Sequence, residues 1–348
     1  MKYSDAGVDL AAGARAIELM KAAVESTHSE EVLAGVGAFG GLFDASRLAA
    51  LNAPVLVAST DGVGTKTRIA AATGRWAGIG QDLVNHCIDD ILVQGATPLF
   101  FLDYVASSRL QPEQVAAIVG GCASACRAAG CALLGGETAE MPGVYAPGEV
   151  DVVGTIVGMV DRAAVIDGQR ALPGDRIIGM ASSGLHTNGY SLARRVIADQ
   201  DLLAPRDDLQ GRSLADALLV PHRAYLAEVN RLREGGDGLA GVDLKGLAHI
   251  TGGGLVDNPP RILPPGVAMK LQMDAWPRPA LFKLLQELGG ISEAEMRHVF
   301  NVGVGMVAVV PAADAERAMA LLNAPGLAQA WLVGEIIERG DGAAVVFP

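Results

Sequence analysis

"VLVASTDGVGTKTRIAA", residues 55–71, runs from an apolar stretch through a glycine-rich loop into a predicted helix. The apolar stretch follows a proline and ends at an Asp-Gly pair, which predicts a strand with the loop at its carboxyl end. Gly62 and Gly64 allow a tight turn that brings backbone N–H groups close to a ligand, while Thr65 and Lys66 add a hydroxyl and a cation. The loop therefore indicates a phosphate site.

This loop matches neither of two standard phosphate-binding motifs. A Walker A loop ends in Gly-Lys-Ser/Thr, and the dinucleotide fingerprint requires a third Gly or Ala where Thr67 stands. Glycine-rich turns between a strand and a helix also occur in many α/β proteins without any ligand. Taken alone, the stretch leaves both interpretations open.

Composition and charge limit the class of protein. A chain of 348 residues with 50% hydrophobic residues is long enough for two domains and is not disordered. A net charge of −12 argues against nucleic acid as a partner, because phosphate backbones are bound by basic surfaces. No apolar run reaches the roughly 18 residues of a membrane span. We expect a cytoplasmic protein that does not associate with membranes and whose cysteines are free thiols.

Strand-like apolar runs alternate with helical patterns and predict an α/β fold with two domains. Residues 166–180, "IDGQRALPGDRIIGM", place glycines and a proline between apolar segments and are typical of a linker leading into a new strand. We therefore predict a first domain over 1–168 and a second over 169–348. The apolar runs of the first domain are 55–58, 99–105, 131–134 and 152–160.

The segment 78–98, "GIGQDLVNHCIDDILVQGATP", has a helical pattern. Asp82, His86 and Asp89 lie at positions i, i+4 and i+7 and so share one face, with Asp90 at its edge. A solvated polar stripe is the alternative interpretation. Another carboxylate, Glu137, follows two glycines at the end of an apolar strand. If the acidic groups lie close together they form an oxygen-rich site for Mg²⁺. The predicted metal ligands are Asp61, Asp82, Asp90 and Glu137.

The second half contains two further candidate loops. In "GMASSGLHTNGYSLARR", residues 179–195, a Ser-Ser-Gly turn and His186 stand just before a helix, which is typical of an anion-binding turn. His186 is either a general acid/base or a structural turn residue. "HITGGGLVDN", residues 249–258, offers three successive glycines as a second phosphate cradle, with a sharp chain reversal as its alternative.

Together these motifs resemble the aminoimidazole ribonucleotide synthetase family of purine biosynthesis, and the resemblance covers nearly the whole chain. Several long motifs in the same order are far more specific than the loops alone. The motifs are "DAGVD" at 5–9, "TDGVGTK" at 60–66, "VQGATPLFFLDY" at 93–104, "GGETAEMPG" at 135–143, "SSGLHTNGYSL" at 182–192, "ITGGG" at 250–254 and "FNVGVGM" at 300–306.

The resemblance implies an ATP-dependent synthetase fold. The sheet of an N-terminal domain pairs across a homodimer to form a barrel, and a C-terminal α+β domain completes a cleft for ATP and substrate. The reaction is ring closure of formylglycinamidine ribonucleotide to aminoimidazole ribonucleotide, with ATP and Mg²⁺ as cofactors. The formyl oxygen is a poor leaving group until it is phosphorylated, so such an enzyme mainly positions phosphate and neutralises charge.

Site residues follow from the matching motifs. The resemblance implies catalytic roles for His186, Lys66 and Lys21. It also implies that the cofactor is bound by Asp61, Gly62, Gly64, Thr65, Lys66, Gly135, Gly136, Thr138, Gly252 and Gly253.

The chain departs from the family pattern at two places. Ser4 stands where a lysine is frequent, so no role is carried onto that position. Asp89-Asp90 stands where Asn-Asp is usual, which favours Asp90 over Asp89 as a ligand.

Two other hypotheses are a kinase-like relative that phosphorylates a different small molecule and a non-catalytic scaffold. The "GGETAEMPG" and "SSGLHTNGYS" motifs favour the synthetase over the kinase, and a scaffold is expected to have lost the acidic ligands or the loop lysine, which this chain retains.

Overall fold

A computed structural model of the chain describes residues 9–348. Ser4 and the first four residues of the "DAGVD" motif lie outside the described residues. The chain divides into two compact units. Residues 92–95 lie within the first unit's part of the sequence but belong to the second unit, and residues 218–222 lie within the second unit's part but belong to the first. The first unit holds residues up to 91, 96–164 and 218–222; the second holds 92–95, 165–217 and 223–348.

The first unit is built on a mixed sheet. Its described strands are β1 (Val32–Ala34), β2 (Leu42–Phe43), β3 (Pro54–Gly62), β4 (Thr97–Ser107), β5 (Ala132–Glu140) and β6 (Val150–Asp161). Its described helices are α1 (Leu10–Glu25), α2 (Thr67–Thr73), α3 (Ala77–Leu92, the last residue being counted with the second unit) and α4 (Pro112–Ala129). The order β3-β6-β4-β5 makes a four-stranded sheet in which only β4 and β5 are parallel, joined by α4 as a crossover helix, while β1 and β2 pair separately.

The two faces of this sheet differ. Along β6 burial alternates residue by residue, as expected for a strand with one covered and one open face. The covered face packs against helices: a side chain at Gly154 would collide with Phe101 of β4 and Leu83 of α3. Helices α3 and α4 approach closely because Gly80 and Gly121 carry no side chain at their crossing. The open face carries exposed apolar side chains, among them Leu56 and Leu102.

The second unit contains a larger, mostly antiparallel sheet. Its described strands are β7 (Arg176–Ala181), β8 (Gly235–Gly236), β9 (Leu239–Ala240), β10 (Gly246–His249), β11 (Val267–Leu271), β12 (Val304–Val310), β13 (Ala330–Glu338) and β14 (Val345–Val346). Its described helices are α5 (Tyr190–Val196), α6 (Leu214–Leu218, whose last residue falls in the first unit), α7 (Leu226–Glu234), α8 (Gly254–Asp257), α9 (Ala280–Gly289), α10 (Glu293–Val299) and α11 (Ala315–Leu322). The sheet order is β10-β12-β7-β13-β11-β14.

Alternate residues of β7 and β12 enter two separate cores, one on each face of this sheet. Ile178 and Met180 pack with α7 and α11, whereas Ile177 packs with Trp276 and Val333. The two units thus form the mixed α/β architecture that the sequence predicts. Helices α6 and α7 are separate, with Pro221 between them.

None of the helices described over residues 9–348 is both long enough and apolar enough to cross a bilayer.

Candidate functional site

Three ionisable side chains meet where β3 ends. The His86 Nε2 lies 2.8 Å from Asp61 Oδ2 and 3.7 Å from Asp90 Oδ2, and the Ser59 hydroxyl donates to Asp90 at 2.9 Å. Asp61 comes from β3, whereas His86 and Asp90 are one turn apart on α3. We call Asp61, His86 and Asp90 the Asp61 cluster. His86 is buried, but the carboxylates of Asp61 and Asp90 are 45% and 26% exposed and so are open to a ligand.

The cluster holds its charges through mutual pairing. Burial raises the pKa of Asp61, but the hydrogen bond and the charge of His86 outweigh it, so the net pKa is lowered. Burial lowers the pKa of His86, yet its hydrogen bond to Asp61 and the charge of Asp90 raise the pKa above its ordinary value. The two carboxylates therefore favour the imidazolium form of His86. A divalent cation has the same sign and attracts the same two carboxylates.

Lys66 and Asp82 form a fully buried ion pair. The Lys66 Nζ donates to Asp82 Oδ1 at 2.7 Å and to the Val220 carbonyl at 2.8 Å, and both charged side chains are completely inaccessible. Burial lowers the pKa of Lys66 and raises the pKa of Asp82 to about 6. This differs from the sequence prediction on two points. Lys66 does not present its cation at the loop surface, and Asp82 is not an accessible metal ligand, because each is occupied by the other.

His222 belongs to the same buried network and was missed by the sequence analysis. Its backbone N–H donates to Asp82 at 2.7 Å, its carbonyl accepts from the Asn85 side chain at 2.6 Å, and its Nε2 lies 3.3 Å from Asp89 Oδ2. Asp89 and His222 are both fully buried. The departure of Asp89 from the family's usual asparagine thus has a physical counterpart, since a buried carboxylate requires a partner. That departure is the one sequence signal that could have indicated a buried partner for Asp89.

Strand register sets the positions of the remaining acidic groups. Asp61 pairs with Gly154, Gly154 with Asp103, and Asp103 with Gly136. These four residues make one cross-strand row on the helix-covered face. Glu137, beside Gly136, therefore lies three strand spacings from Asp61, about 14 Å. The four predicted metal ligands do not converge: of the four, only Asp61 and Asp90 come together, through their shared contact with His86.

A cavity of about 570 Å³ lies at the β5 end of this row, and we call it the β5 cavity. Its floor includes Gly135, Gly136, Glu137 and Thr138 of β5, so three predicted cofactor-binding residues and one predicted metal ligand line the same space. A glycine-rich loop over 35–41 closes one side. Apolar side chains from the helices and β5 form the walls: Ile17, Met20, Val24, Val119, Leu133 and Leu134. Lys21, on the same helix as Met20, is exposed and pairs with Glu25 at 3.7 Å.

The glycine-rich loop after β3 is compact. Residues Gly64–Lys66 form a 3-10 turn, Gly64 has φ +68°, and Lys66 leads directly into α2. The Gly62 N–H donates to the Asp61 carboxylate at 2.6 Å. The strand, tight turn and helix are as the sequence predicts. The Gly62 N–H, however, already has a partner within the protein.

In the second unit, His186 is held in a strained turn between β7 and α5. It has φ +61°, is 1% exposed, and its Nε2 accepts a hydrogen bond from the Ser183 N–H at 3.1 Å. A neutral ring in this arrangement carries its proton on Nδ1. A side chain at Gly305 would collide with the His186 ring, so that glycine makes room for it. A non-glycine residue in the left-handed region is a feature of functional turns and also of structural ones.

The two predicted loops of the second unit are neighbours. A side chain at Gly252 would stand 3.4 Å from the Asn188 side-chain oxygen, which places the triple-glycine loop against the His186 turn. Asn258 shapes the loop, since its amide donates to the carbonyls of Gly252 and Gly254 at 3.2 and 2.9 Å. Gly253 has φ +94°. The loop is therefore a sharp reversal whose glycines adjoin the His186 turn.

Both parts of the chain match models of known domains. Residues 44–160 match "AIR synthase related protein, N-terminal domain", and residues 173–347 match "AIR synthase related protein, C-terminal domain". A phosphoribosylformylglycinamidine cyclo-ligase of Anaeromyxobacter sp. is 50% identical over 345 residues, which are 99% of this chain and 98% of that protein. The chain belongs to the phosphoribosylformylglycinamidine cyclo-ligase family. A cyclo-ligase of Burkholderia lata is 48% identical over 99% of this chain and 95% of the relative.

Solved structures with the same fold are more distant from this cyclo-ligase family member. Thiamine-monophosphate kinase from Stenotrophomonas maltophilia has a TM-score of 0.67 at 18% identity, covering 96% of this chain and 95% of that one. The hydrogenase maturation protein HypE in complex with ATP has a TM-score of 0.66 at 19% identity, covering 96% of this chain and 90% of that one. At this identity the likeness concerns the fold alone.

Proposed function

We propose that this chain catalyses the ATP-dependent ring closure of formylglycinamidine ribonucleotide to aminoimidazole ribonucleotide, with release of ADP and phosphate. The geometric observation that carries the proposal is the cross-strand row on one sheet face, which runs from the carboxylate of Asp61 to the glycine floor of the β5 cavity at Gly136. Full-length cyclo-ligase relatives at about half identity support the choice of substrate.

The row suits a nucleoside triphosphate. The apolar walls of the β5 cavity accept a base, and the glycines at 135 and 136 allow close approach of a ligand to the backbone. The Asp61 cluster lies about 14 Å away on the same face, three strand spacings across the sheet. An extended nucleoside triphosphate covers that separation. Its base then occupies the cavity and its terminal phosphate approaches Asp61 and Asp90.

Mg²⁺ is part of the proposal, and the residues present fit it in part. Asp61 and Asp90 offer accessible carboxylate oxygens, the ligands that Mg²⁺ prefers, and they already share a cationic partner in His86. Asp82 does not fit, because it is buried against Lys66. Glu137 lies too far from Asp61 to share one ion with it. When bound, the ion neutralises phosphate charge.

The protein's own groups then orient the reaction. The formyl oxygen of the substrate attacks the terminal phosphorus of ATP and ADP departs. The amidine nitrogen next attacks the formyl carbon, and the C–O bond to phosphate breaks. Both steps depend mainly on alignment and charge neutralisation. Lys66 has a positioning role in this proposal and does not contact the phosphates. Its ammonium group bonds to Asp82 of α3 and to the Val220 carbonyl, and Asp82 also accepts from the His222 N–H.

Roles are also proposed for His186, Lys21 and the glycines at 252 and 253. His186 is fixed by its turn through the hydrogen bond that its Nε2 accepts from the Ser183 N–H, and an imidazole held in this way suits proton transfer or a hydrogen bond to the transferring phosphoryl group. Lys21 offers an exposed ammonium on α1, whose neighbouring face lines the β5 cavity. Thr65, Gly62 and Gly64 shape the loop beside Asp61.

The proposed assembly is a cytoplasmic homodimer formed through the open face of the first unit's sheet. Leu56 and Leu102 are 59% and 37% exposed and point away from the Asp61 row. Val157 and Met159 of β6 lie on the same face and are partly exposed. A continuous apolar sheet face of this kind is covered in a stable protein. Pairing with a second copy closes the two sheets into a barrel.

A direct assay tests the activity. Purified protein is incubated with ATP, Mg²⁺ and formylglycinamidine ribonucleotide, and aminoimidazole ribonucleotide is measured through its diazotisable amine. Product that requires both ATP and the ribonucleotide supports the proposal. Consumption of ATP with thiamine monophosphate, and no aminoimidazole product, would favour the kinase-like alternative.

A further inference from the structure

Asp103 is a buried acid that the proposed chemistry leaves unexplained. It lies in the middle of β4, is 9% exposed, and lines the β5 cavity. Its neighbours on the covered face of β4, Phe101 and Val105, are buried apolar residues, as a covered position requires. A buried carboxyl group at such a position costs free energy of folding unless it has a hydrogen-bond or charge partner.

Among residues 9–348, no other residue supplies a side-chain hydrogen bond or ion pair to the Asp103 carboxyl group. Burial is the main cause that raises its pKa, to about 7, while a hydrogen bond from its own backbone acts in the opposite direction. The group therefore holds its proton far more readily than an exposed aspartate. A protonated carboxyl offers one O–H donor and one carbonyl acceptor side by side.

Gly136 leaves this carboxyl group accessible from the cavity. It pairs directly with Asp103 across β4 and β5, and a side chain at Gly136 would collide with the Asp103 carboxyl. The glycine that belongs to the predicted ATP-binding motif thus also leaves space beside the acid. Ile17, Met20 and Val119 supply apolar surface around the same space. A flat aromatic ring with one polar edge matches such a cavity.

We propose that Asp103 is a specificity-determining residue that selects adenine by bonding to N1 and the N6 amine of the base in the β5 cavity. This inference rests on the proposed function, because it assigns ATP to that cavity. The adenine edge presents an acceptor at N1 next to a donor at N6. A neutral carboxyl group pairs with both, its O–H donating to N1 and its carbonyl accepting from the amine.

Guanine reverses this pattern. Its O6 accepts and its N1–H donates. Because the hydrogen bond from the Asp103 backbone N–H holds the carbonyl oxygen in place, the neutral carboxyl group meets donor with donor and acceptor with acceptor. An ionised carboxylate suits guanine better, but the apolar surroundings of Asp103 oppose ionisation. A site built to hydrogen-bond one pattern rejects the other strongly, since buried polar groups are then left unpaired.

Equilibrium binding of ATP and GTP in the absence of the ribonucleotide tests the inference. Asp103→Leu should weaken ATP binding about 10- to 100-fold and bring the two nucleotides within about threefold of each other. Asp103→Asn, whose amide carries a donor and an acceptor, should stay within about threefold of the native affinity for ATP. Glu113→Leu is the matched control, because it removes an exposed carboxylate from α4 outside the cavity.

A second measurement on the native chain guards against a variant that fails to fold. The triphosphate of purine riboside lacks the N6 amine and should bind about 10-fold more weakly than ATP. The inference is overturned if Asp103→Leu leaves the ATP affinity and the ATP/GTP ratio unchanged, if Asp103→Asn loses as much as Asp103→Leu, or if purine riboside triphosphate binds as ATP does.

Failure of the inference and failure of the proposed function are separable. Ring closure that proceeds equally well with GTP would overturn the role of Asp103 and leave the cyclo-ligase activity intact. Selective ATP binding without formation of aminoimidazole ribonucleotide would support the role of Asp103 and overturn the cyclo-ligase activity.

Discussion

At the scale of single residues, His86 holds the carboxylates of Asp61 and Asp90 close together. Its Nε2 contacts both carboxylates, and the mutual pairing lowers the pKa of Asp61 and raises that of His86 against the effect of burial. Because both carboxylates already lie beside His86, they can attract a cation without rearrangement of the backbone. Asp61 is the more exposed of the two and so should carry more of the contact with a phosphate-bound ion.

Asp61→Asn should lower kcat by on the order of a hundredfold or more, because the interaction strengthens as charge develops on the transferring phosphoryl group. The side chain keeps its shape, and thermal unfolding should change little. Steady-state assays at saturating Mg²⁺ check the effect, with Asp274→Asn, an exposed site in the second unit, as the control. Turnover near the native value would remove Asp61 from the mechanism.

His186→Asn tests whether the turn histidine acts in catalysis. Asparagine tolerates the left-handed backbone conformation that His186 adopts, so the turn should persist. A residue that transfers a proton or bonds the phosphoryl group should show a loss of about 100- to 10,000-fold in the single-turnover rate, with ATP affinity less affected. A change of less than about threefold would make His186 a structural turn residue.

At the scale of elements, local patterns predicted much of the fold. The strand, glycine turn and helix of residues 55–71 are β3, a 3-10 turn and α2. Helical spacing placed Asp82, His86 and Asp89 on one face of α3, and that prediction is confirmed, but the alternative of a solvated stripe is wrong because all three are buried. Spacing within a helix fixes direction, whereas burial depends on what packs against the helix.

Local sequence patterns could not predict the burial of the Lys66 side chain. Its partners, Asp82 and Val220, are 16 and 154 residues away in sequence, and only the tertiary fold brings them to its ammonium group. A lysine in a glycine-rich loop is typical of a phosphate contact, yet here the loop turns it inward. The position of Glu137 escaped prediction for the same reason, since the strand order β3-β6-β4-β5 places Asp61 and Glu137 on the two edge strands of the sheet.

A double-mutant cycle tests the buried pair. Lys66→Met leaves Asp82 buried without its cation and should lower the free energy of unfolding by about 3–5 kcal/mol, while Lys66→Met combined with Asp82→Leu should recover most of that loss. Urea unfolding measures both. The exposed pair Arg68–Glu149, with N···O 2.6 Å and side chains 47% and 40% exposed, is the matched control and should contribute no more than about 1 kcal/mol. Equal losses at the two pairs would contradict the buried role of Lys66.

At the scale of the whole molecule, the exposed apolar side chains on the open sheet face of the first unit are the basis of the proposed homodimer. Leu56→Asp places a charge on that face and should convert the proposed dimer to a monomer, with loss of mass from about twice 35.8 kDa to the chain mass in light scattering. Leu172→Asp is the matched control, because Leu172 has the same 59% exposure as Leu56 but belongs to the second unit. A native chain that is monomeric and fully active would rule out the proposed assembly.

In the proposed reaction, ATP activates the formyl oxygen of formylglycinamidine ribonucleotide for ring closure. The most direct test supplies substrate carrying oxygen-18 in the formyl group, together with ATP and Mg²⁺, and follows the label by mass spectrometry. Transfer of the label into the released inorganic phosphate, in proportion to the aminoimidazole ribonucleotide formed, is the predicted result. Label that appears in water, with unlabelled phosphate, would contradict the account.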